Sequence, residues 1–144
     1  MLKAAGFAIS QNGVVQNFAV ARYTSNGILD TTFSGDGKTQ IDFGNCCQSA
    51  MKVLLQSDGK IITVGGSNGE SSEDDFLLAR LSPRGSLDAT FGVGGKVRTS
   101  FGDLNGGANG AGLQSDGKIV AVGFQATFSN QWSNFALARY LDGQ

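Results

Sequence analysis

The chain has 144 residues, a formal net charge of −1 and no histidine. The near-neutral charge argues against the basic surface that binds nucleic acid. The lack of histidine excludes Ser–His and Cys–His catalytic pairs and histidine metal ligands. Glycine contributes 22 residues and proline only 1, while 40% of the residues are hydrophobic. This combination predicts short strands joined by tight turns, and no apolar run is long enough to predict a membrane span or a signal peptide.

One long motif occurs twice and begins a third time. It reads FAVARYTSNGILDTTFSGDGKTQIDFG at 18–44, FLLARLSPRGSLDATFGVGGKVRTSFG at 76–102 and FALARYLDGQ from Phe135. A second motif, LQSDGKI, occurs at 55–61 and 113–119, which are 58 residues apart. The third copy of the long motif follows the second after 59 residues, which indicates one inserted residue.

This period predicts an all-β fold of the β-propeller type, with about two and a half repeats of four-stranded antiparallel blades and no helix. An open β-solenoid is the alternative, although it would favour a shorter period. We label the four strands of each unit A to D in chain order. The ten predicted strands form a single domain of three units.

The first unit, 1–48, is predicted to hold strands B, C and D at 3–10, 18–23 and 39–43. The second unit, 49–107, is predicted to be complete, with strand A at 49–56 and the Asp-Gly hairpin of 57–60 before strand B. The third unit, 108–144, is predicted to hold strands A, B and C. We align Lys3 of the first unit with Ile61 of the second.

Strand C carries apolar residues on both of its faces, which predicts that it is covered on both sides. It also carries an arginine, and a buried charge needs a partner. The repeated aspartate of the LDTT and LDAT segments is the candidate. We therefore predict two structural ion pairs, Arg22 with Asp30 and Arg80 with Asp88.

The pattern LQSDGKI, VG, FLLAR, SPRGSLDATFG, GK and FG resembles the delta-60 repeat, a bacterial β-propeller repeat of large predicted secreted or surface proteins. The resemblance covers nearly the whole chain and implies a propeller fold and an extracellular or cell-surface location. It implies no catalytic residues. The chain departs from the family in having fewer units than a closed ring, with incomplete units at both ends.

Incomplete rings expose blade faces. Four strands of about seven residues present a face of roughly 440 Å², and two bare faces exceed the apolar patch of about 300–600 Å² that a soluble monomer normally shows. We therefore predict a homo-oligomer, either a dimer of six units or a trimer of nine, or else a part of a longer propeller.

The loops between strands B and C differ most among the copies, and variable loops on a constant scaffold often bind ligands. The third loop is the candidate for binding a glycan or a protein, although the favoured interpretation is that Trp132 or Phe128 folds back onto its own blade. The candidate binding residues are Phe128, Asn130, Gln131, Trp132 and Asn134. The second loop carries an acidic run that we expect to be solvated; it comprises Glu70, Glu73, Asp74 and Asp75.

The sequence offers one candidate position for a metal ion and one pair of thiols. Asp36 lies between glycines, as in some calcium loops, but turn formation is the favoured interpretation. Adjacent Cys46 and Cys47 are expected to be small loop residues rather than a disulfide. No cofactor and no metal are predicted.

The functional expectation is a non-enzymatic module for surface assembly or protein binding. A lectin-like carbohydrate-binding module is the first alternative. A propeller-type lyase or lactonase is the second.

Overall fold

The structure is a computed structural model, and it describes residues 2–9, 13, 15–44, 47–67, 75–102, 105–126 and 133–142. These ranges contain ten β-strands and no helix, as predicted, and accordingly no helix that could span a membrane. The strands are β1 (Leu2–Ile9), β2 (Gln16–Tyr23), β3 (Lys38–Ile41), β4 (Gln48–Leu55), β5 (Ile61–Ser67), β6 (Phe76–Leu81), β7 (Lys96–Thr99), β8 (Asn105–Leu113), β9 (Ile119–Ala126) and β10 (Ser133–Tyr140).

Antiparallel pairing divides the strands into three units. The first unit is β1–β2–β3, the second is β4–β5–β6–β7 and the third is β8–β9–β10. A single residue pair, Gly66 with Gly107, joins β5 to β8 and connects the second and third units into one sheet. The units therefore contain strands B to D, A to D and A to C, and the predicted strand order is confirmed. The structure starts β8 at Asn105, three residues before the predicted start of the third unit.

The predicted alignment of strand B in the first unit was wrong by one residue. Leu2 pairs with Tyr23, and Ile61 pairs with Leu81 at the equivalent place in the second unit. Leu2, rather than Lys3, is thus the equivalent of Ile61. The loop between strands B and C is one residue shorter in the second unit than in the other two. A one-residue shift matters because it moves every side chain to the opposite face of the strand.

A β-bulge in strand A sets a steric demand on strand B. The pairing of β4 with β5 shifts between Ala50 and Lys52. Beside this bulge, a Cβ atom placed on Gly65 would lie 1.9 Å from the carbonyl oxygen of Ser49, so no side chain fits there. The third unit repeats the arrangement, with a shift in β8 and the same 1.9 Å approach at Gly123.

The first unit keeps this glycine without the neighbour that requires it. Gly6 pairs with Ala19 of strand C, as Gly65 pairs with Leu77. A Cβ atom on Gly6 would meet nothing within 4 Å. The glycine is therefore required by sterics in the second unit and not in the first.

Two apolar clusters fill the spaces between consecutive units. The first joins Phe18, Val20, Phe33 and Ile41 to Ala50, Ile61, Leu77, Ala79 and Leu81. The second joins Ile62, Val64, Phe76, Leu78 and Phe91 to Ala108, Ile119, Ala121, Ala136 and Tyr140. The second unit thus packs one side of its strand C against the third unit and the other side against the first, because strand residues alternate in direction.

We name these two sides of strand C. The front face, which packs on the following unit, consists of residues 18, 20 and 22 in the first unit, 76, 78 and 80 in the second, and 135, 137 and 139 in the third. The back face, which packs on the preceding unit, consists of residues 19, 21 and 23, then 77, 79 and 81, then 136, 138 and 140. In the second unit all six residues are buried, which confirms that strand C is covered on both sides there.

Alanine substitution of the strand B glycine can be compared between a crowded position, Gly65, and an open one, Gly6. Gly65→Ala is expected to lower the free energy of unfolding by more than about 2 kcal/mol, because the methyl group must displace backbone atoms. Gly6→Ala should change it by less than about 1 kcal/mol, in the stabilising direction, because the space is open and the unfolded chain loses entropy. Denaturant unfolding of both variants measures the difference, and equal effects would contradict the steric account.

Candidate functional site

The arginine of strand C is held in a cluster of four partners. Arg22 is 6% exposed, and its Nε lies 2.9 Å from Oδ2 of Asp30. Its Nη2 donates a hydrogen bond of 2.7 Å to the hydroxyl of Thr32, and its guanidinium carbon lies 4.9 Å from the centre of the Phe33 ring. Its Nη1 donates to the carbonyl oxygen of Pro83, which belongs to the next unit. The cluster therefore joins two units as well as two segments of one unit.

The second unit repeats this arginine cluster. The Nε of Arg80 lies 2.9 Å from Oδ2 of Asp88, and its Nη2 donates to the hydroxyl of Thr90 at 2.9 Å. Its guanidinium carbon lies 4.8 Å from the centre of the Phe91 ring. Its Nη1 donates to the carboxylate of Asp142 in the third unit. Both predicted arginine–aspartate pairs are thus in contact.

The partner from the next unit occupies the same place each time. Pro83 follows Arg80 by three residues, and Asp142 follows Arg139 by three. We call this residue the acceptor position of its unit; Ser25 holds it in the first unit. One acceptor uses a main-chain carbonyl and the other a side-chain carboxylate, so the position has no fixed residue type.

Hydrogen bonds in the cluster keep its aspartates ionised. The Thr90 hydroxyl is the largest influence on Asp88 and outweighs the effect of burial; with further contributions from Lys60 and Arg80, it lowers the pKa of Asp88 from 3.8 to about 2. Lys60 lies 3.3 Å from the Asp88 carboxylate, and this contact raises the pKa of the lysine. The Thr32 hydroxyl similarly lowers the pKa of Asp30. Each cluster therefore pairs the buried cation with a negative charge.

The front face of the third unit is uncovered. Phe135 is 72% exposed and Leu137 is 54% exposed, whereas their equivalents Phe76 and Leu78 are fully buried. Arg139 is exposed as well. The same positions that form the contact between units inside the chain are here open to solvent.

The back face of the first unit is also uncovered. Ala19, Ala21 and Tyr23 are only half-buried, while the equivalent residues of the second unit are fully buried against the first. A shallow cavity of about 210 Å³ lies over this face, and its lining includes Gly6, Ala19, Ala21 and Gln40. The chain thus presents one uncovered front face and one uncovered back face, and these two form the candidate site.

The two LQSDGK hairpins line a separate polar pocket. Its volume is about 420 Å³, and its walls come from Gln56, Ser57, Asp58, Leu113, Gln114, Ser115, Gly117 and Asp142. Asp142 already bonds to Arg80 there and accepts from the Gln56 amide at 3.3 Å. The pocket therefore contains part of the contact between the second and third units.

Asp36 takes part in turn formation, since its carboxylate accepts a hydrogen bond of 2.9 Å from the backbone of Lys38. Among the described residues, no three histidine, cysteine, aspartate or glutamate side chains are grouped to hold a metal ion. Cys47 has a left-handed backbone with φ of 67°, and Cys46 lies outside the described residues.

The predicted loop site is described only at one residue. Asn134 is exposed in β10, whereas Phe128, Asn130, Gln131 and Trp132 lie outside the described residues, as do Glu70, Glu73 and Asp74. The expectation that the acidic run is solvated was wrong for Asp75. That residue is 3% exposed, and its carboxylate lies 3.7 Å from the guanidinium of Arg98 on β7.

Sequence reasoning missed several members of the arginine clusters. The threonines and phenylalanines follow the aspartate in both TTF and ATF segments, so the repeat itself carried a signal for them. The sequence carried no signal for the acceptor position, because Ser25, Pro83 and Asp142 differ in residue type.

Comparison with protein families agrees with this architecture. The sequence model described as "Domain of unknown function (DUF5122) beta-propeller" matches residues 4–33, 56–91 and 114–141. The three matches fall one in each unit and together cover more than half of the chain. The chain therefore belongs to this β-propeller family, and the predicted propeller-type fold is confirmed. Comparison with curated proteins gives no match.

Acid is expected to destabilise the chain through the arginine clusters. The pKa of Asp88 is about 2 in the folded chain and near 3.8 when the aspartate is unperturbed. Its contribution to stability is therefore complete above about pH 4 and is lost as the pH falls toward 2. Denaturant unfolding at pH 7, 4 and 2.5 should show this loss. Asp88→Asn should cost roughly 2 kcal/mol at pH 7, because the buried Arg80 loses one of its two carboxylate partners and keeps only Asp142, and it should weaken the acid dependence.

Asp36→Asn is the matched control, since that carboxylate is exposed on a turn. It should leave stability at pH 7 within about 1 kcal/mol of the original chain. An Asp88→Asn variant with the same stability and pH dependence as this control would contradict the structural role of the arginine cluster.

Proposed function

We propose that the chain is a non-enzymatic β-propeller module that assembles with further copies of itself through its uncovered front and back faces. One observation carries this proposal. The front-face phenylalanine is fully buried in the first two units and 72% exposed in the third. An apolar ring at that position has a partner wherever a following unit is present.

The internal contacts supply the template for the assembly. Front faces offer large side chains such as Phe76 and Leu78, and back faces offer mostly small or aliphatic ones such as Ala79 and Leu81. The uncovered pair has the same character, with Phe135 on one side and Ala21 on the other. Burial of such apolar surface is the main favourable term in protein association.

A front face that packs on a back face gives a head-to-tail interface. Interfaces of this kind form a ring when the rotation between copies closes, and a filament when it does not. A dimer would hold six units and a trimer nine. Either assembly would cover both faces, and a longer propeller would cover them in the same way.

Our proposals for the repeat type and the cellular location rest on the sequence motifs. The LQSDGK and GSLDATFG motifs support identifying the repeats as the delta-60 type, and that resemblance supports a role on the bacterial cell surface. Carbohydrate binding by the loop that ends at Asn134 stays a prediction, as does the lyase or lactonase alternative.

Light scattering over a wide concentration range tests the assembly. The expected result is a mass that rises from one chain to two or three chains with concentration. A variant with Phe135→Ser and Leu137→Ser should remain a single chain, because the front face loses its apolar side chains.

Val93→Ser provides the control, because Val93 is apolar and 86% exposed but lies outside both faces. It should associate as the original chain does. A single-chain mass at all concentrations for the original protein, or equal behaviour of the two variants, would contradict assembly through these faces.

A further inference from the structure

We propose that Arg139 binds the acceptor position of a second copy, at Ser25, and thereby fixes a head-to-tail order between copies. This inference rests on the proposed function and adds the partner, the orientation and the polar contact. In this arrangement the guanidinium of one copy donates to the main-chain carbonyl of Ser25 in the other.

The first step is the repetition of the contact inside the chain. The first unit's Arg22 donates to the acceptor position of the second unit, and the second unit's Arg80 donates to that of the third. The same contact is thus made twice, once to a carbonyl and once to a carboxylate. The way one unit packs on the next therefore brings the acceptor position to the arginine, whatever residue occupies it. The remaining arginine of the series is Arg139, and the remaining acceptor position is Ser25.

The second step is the shape of the turn that carries the acceptor. In the second unit, Ser82 donates its backbone N–H to Ser86 at 2.7 Å, and Gly85 donates to Ser82 at 3.0 Å. The first unit has the same two bonds, from Thr24 to Ile28 at 2.8 Å and from Gly27 to Thr24 at 3.1 Å. The two turns share a hydrogen-bond pattern, so the carbonyl of Ser25 is placed on its turn as that of Pro83 is.

The third step is the state of Arg139 itself. Within the described part of the chain, its guanidinium contacts no carboxylate or carbonyl group, in contrast to Arg22 and Arg80. A guanidinium has five N–H donors and cannot lose its charge. If the apolar front face is covered, these donors leave water and need acceptors. The Ser25 turn of an incoming copy brings an acceptor to that place.

The contact also distinguishes between orientations. In a head-to-tail pair, each arginine meets a carbonyl oxygen. In a front-to-front pair, two Arg139 side chains would approach each other, and like charges at an interface disfavour the pairing. The arginine therefore selects the head-to-tail arrangement, while the apolar residues supply most of the affinity.

Two charge variants test this orientation. Arg139→Glu places a carboxylate opposite the Ser25 carbonyl, and Ser25→Lys places an ammonium opposite Arg139, so each variant alone should associate at least tenfold more weakly than the original chain. Mixed in equal amounts, they should recover association. The carboxylate introduced in one variant then faces the ammonium introduced in the other, while the unchanged Arg139 faces the unchanged Ser25 at the next junction. Sedimentation velocity of each variant and of the mixture measures this, and circular dichroism checks that both exposed substitutions leave the fold intact.

The outcomes distinguish failure of the proposed assembly from failure of the Arg139 contact. An original chain that stays monomeric at every concentration overturns the proposed function and this inference with it. An original chain that associates while Arg139→Glu associates equally well overturns the arginine contact alone. Normal association of Ser25→Lys alone, with the mixture associating more tightly than either variant alone, shows a front-to-front pair, because the carboxylate introduced by Arg139→Glu then faces an unchanged Arg139. That result overturns the head-to-tail order.

A third variant should strengthen the contact. Ser25→Asp reproduces the carboxylate that Asp142 offers to Arg80, and a charge-assisted hydrogen bond is stronger than one to a neutral carbonyl. We expect association about tenfold tighter than that of the original chain, with the gain reduced in high salt. Asn26→Asp is the control, since it adds the same charge one residue away. An equal gain in both variants would show a general charge effect and would contradict a specific contact with Arg139.

Discussion

Burial of the strand C arginine is the constraint on which the rest of the structure depends. A guanidinium inside an apolar cluster needs its donors satisfied. In the first two units an aspartate of the same unit supplies the counter-charge, a threonine accepts one hydrogen bond, and the acceptor position of the next unit accepts another. The cluster thereby fixes the connection between strands C and D, and it sets the placement of one unit on another. The apolar clusters supply the bulk of the stabilisation, while the arginine selects the register in which they meet.

Much of the fold was predictable from local signals. Alternating apolar residues and glycine turns were enough for ten strands in their order, and the cost of a buried charge was enough to pair Arg22 with Asp30. The register of β1 was not predictable from the period, because the loop between strands B and C varies by one residue. Aligning Gly6 with Gly65, instead of assuming a constant loop length, would have given the correct register.

The contacts of the site were less predictable, because they depend on tertiary placement. Pro83 accepts through its main chain, and any residue could do so, which leaves no trace in residue type. Asp75 ends an acidic run that reads as solvated, but its carboxylate reaches Arg98 on a strand more than twenty residues away. The uncovered faces could be expected from the number of units. Their composition became clear only when the structure showed which residues of strand C face each neighbour.

The glycine of the first unit bears on how such repeats can be recombined. Gly65 and Gly123 leave room for the bulged strand A beside them. Gly6 leaves the same room in the first unit, where no described strand occupies it. β1 therefore meets the steric condition for a neighbouring strand A, with no change to its own sequence. Strands A of different units are interchangeable parts as far as this contact is concerned. The glycine beside the bulge therefore places no steric obstacle between a strand A from one copy and a strand B from another.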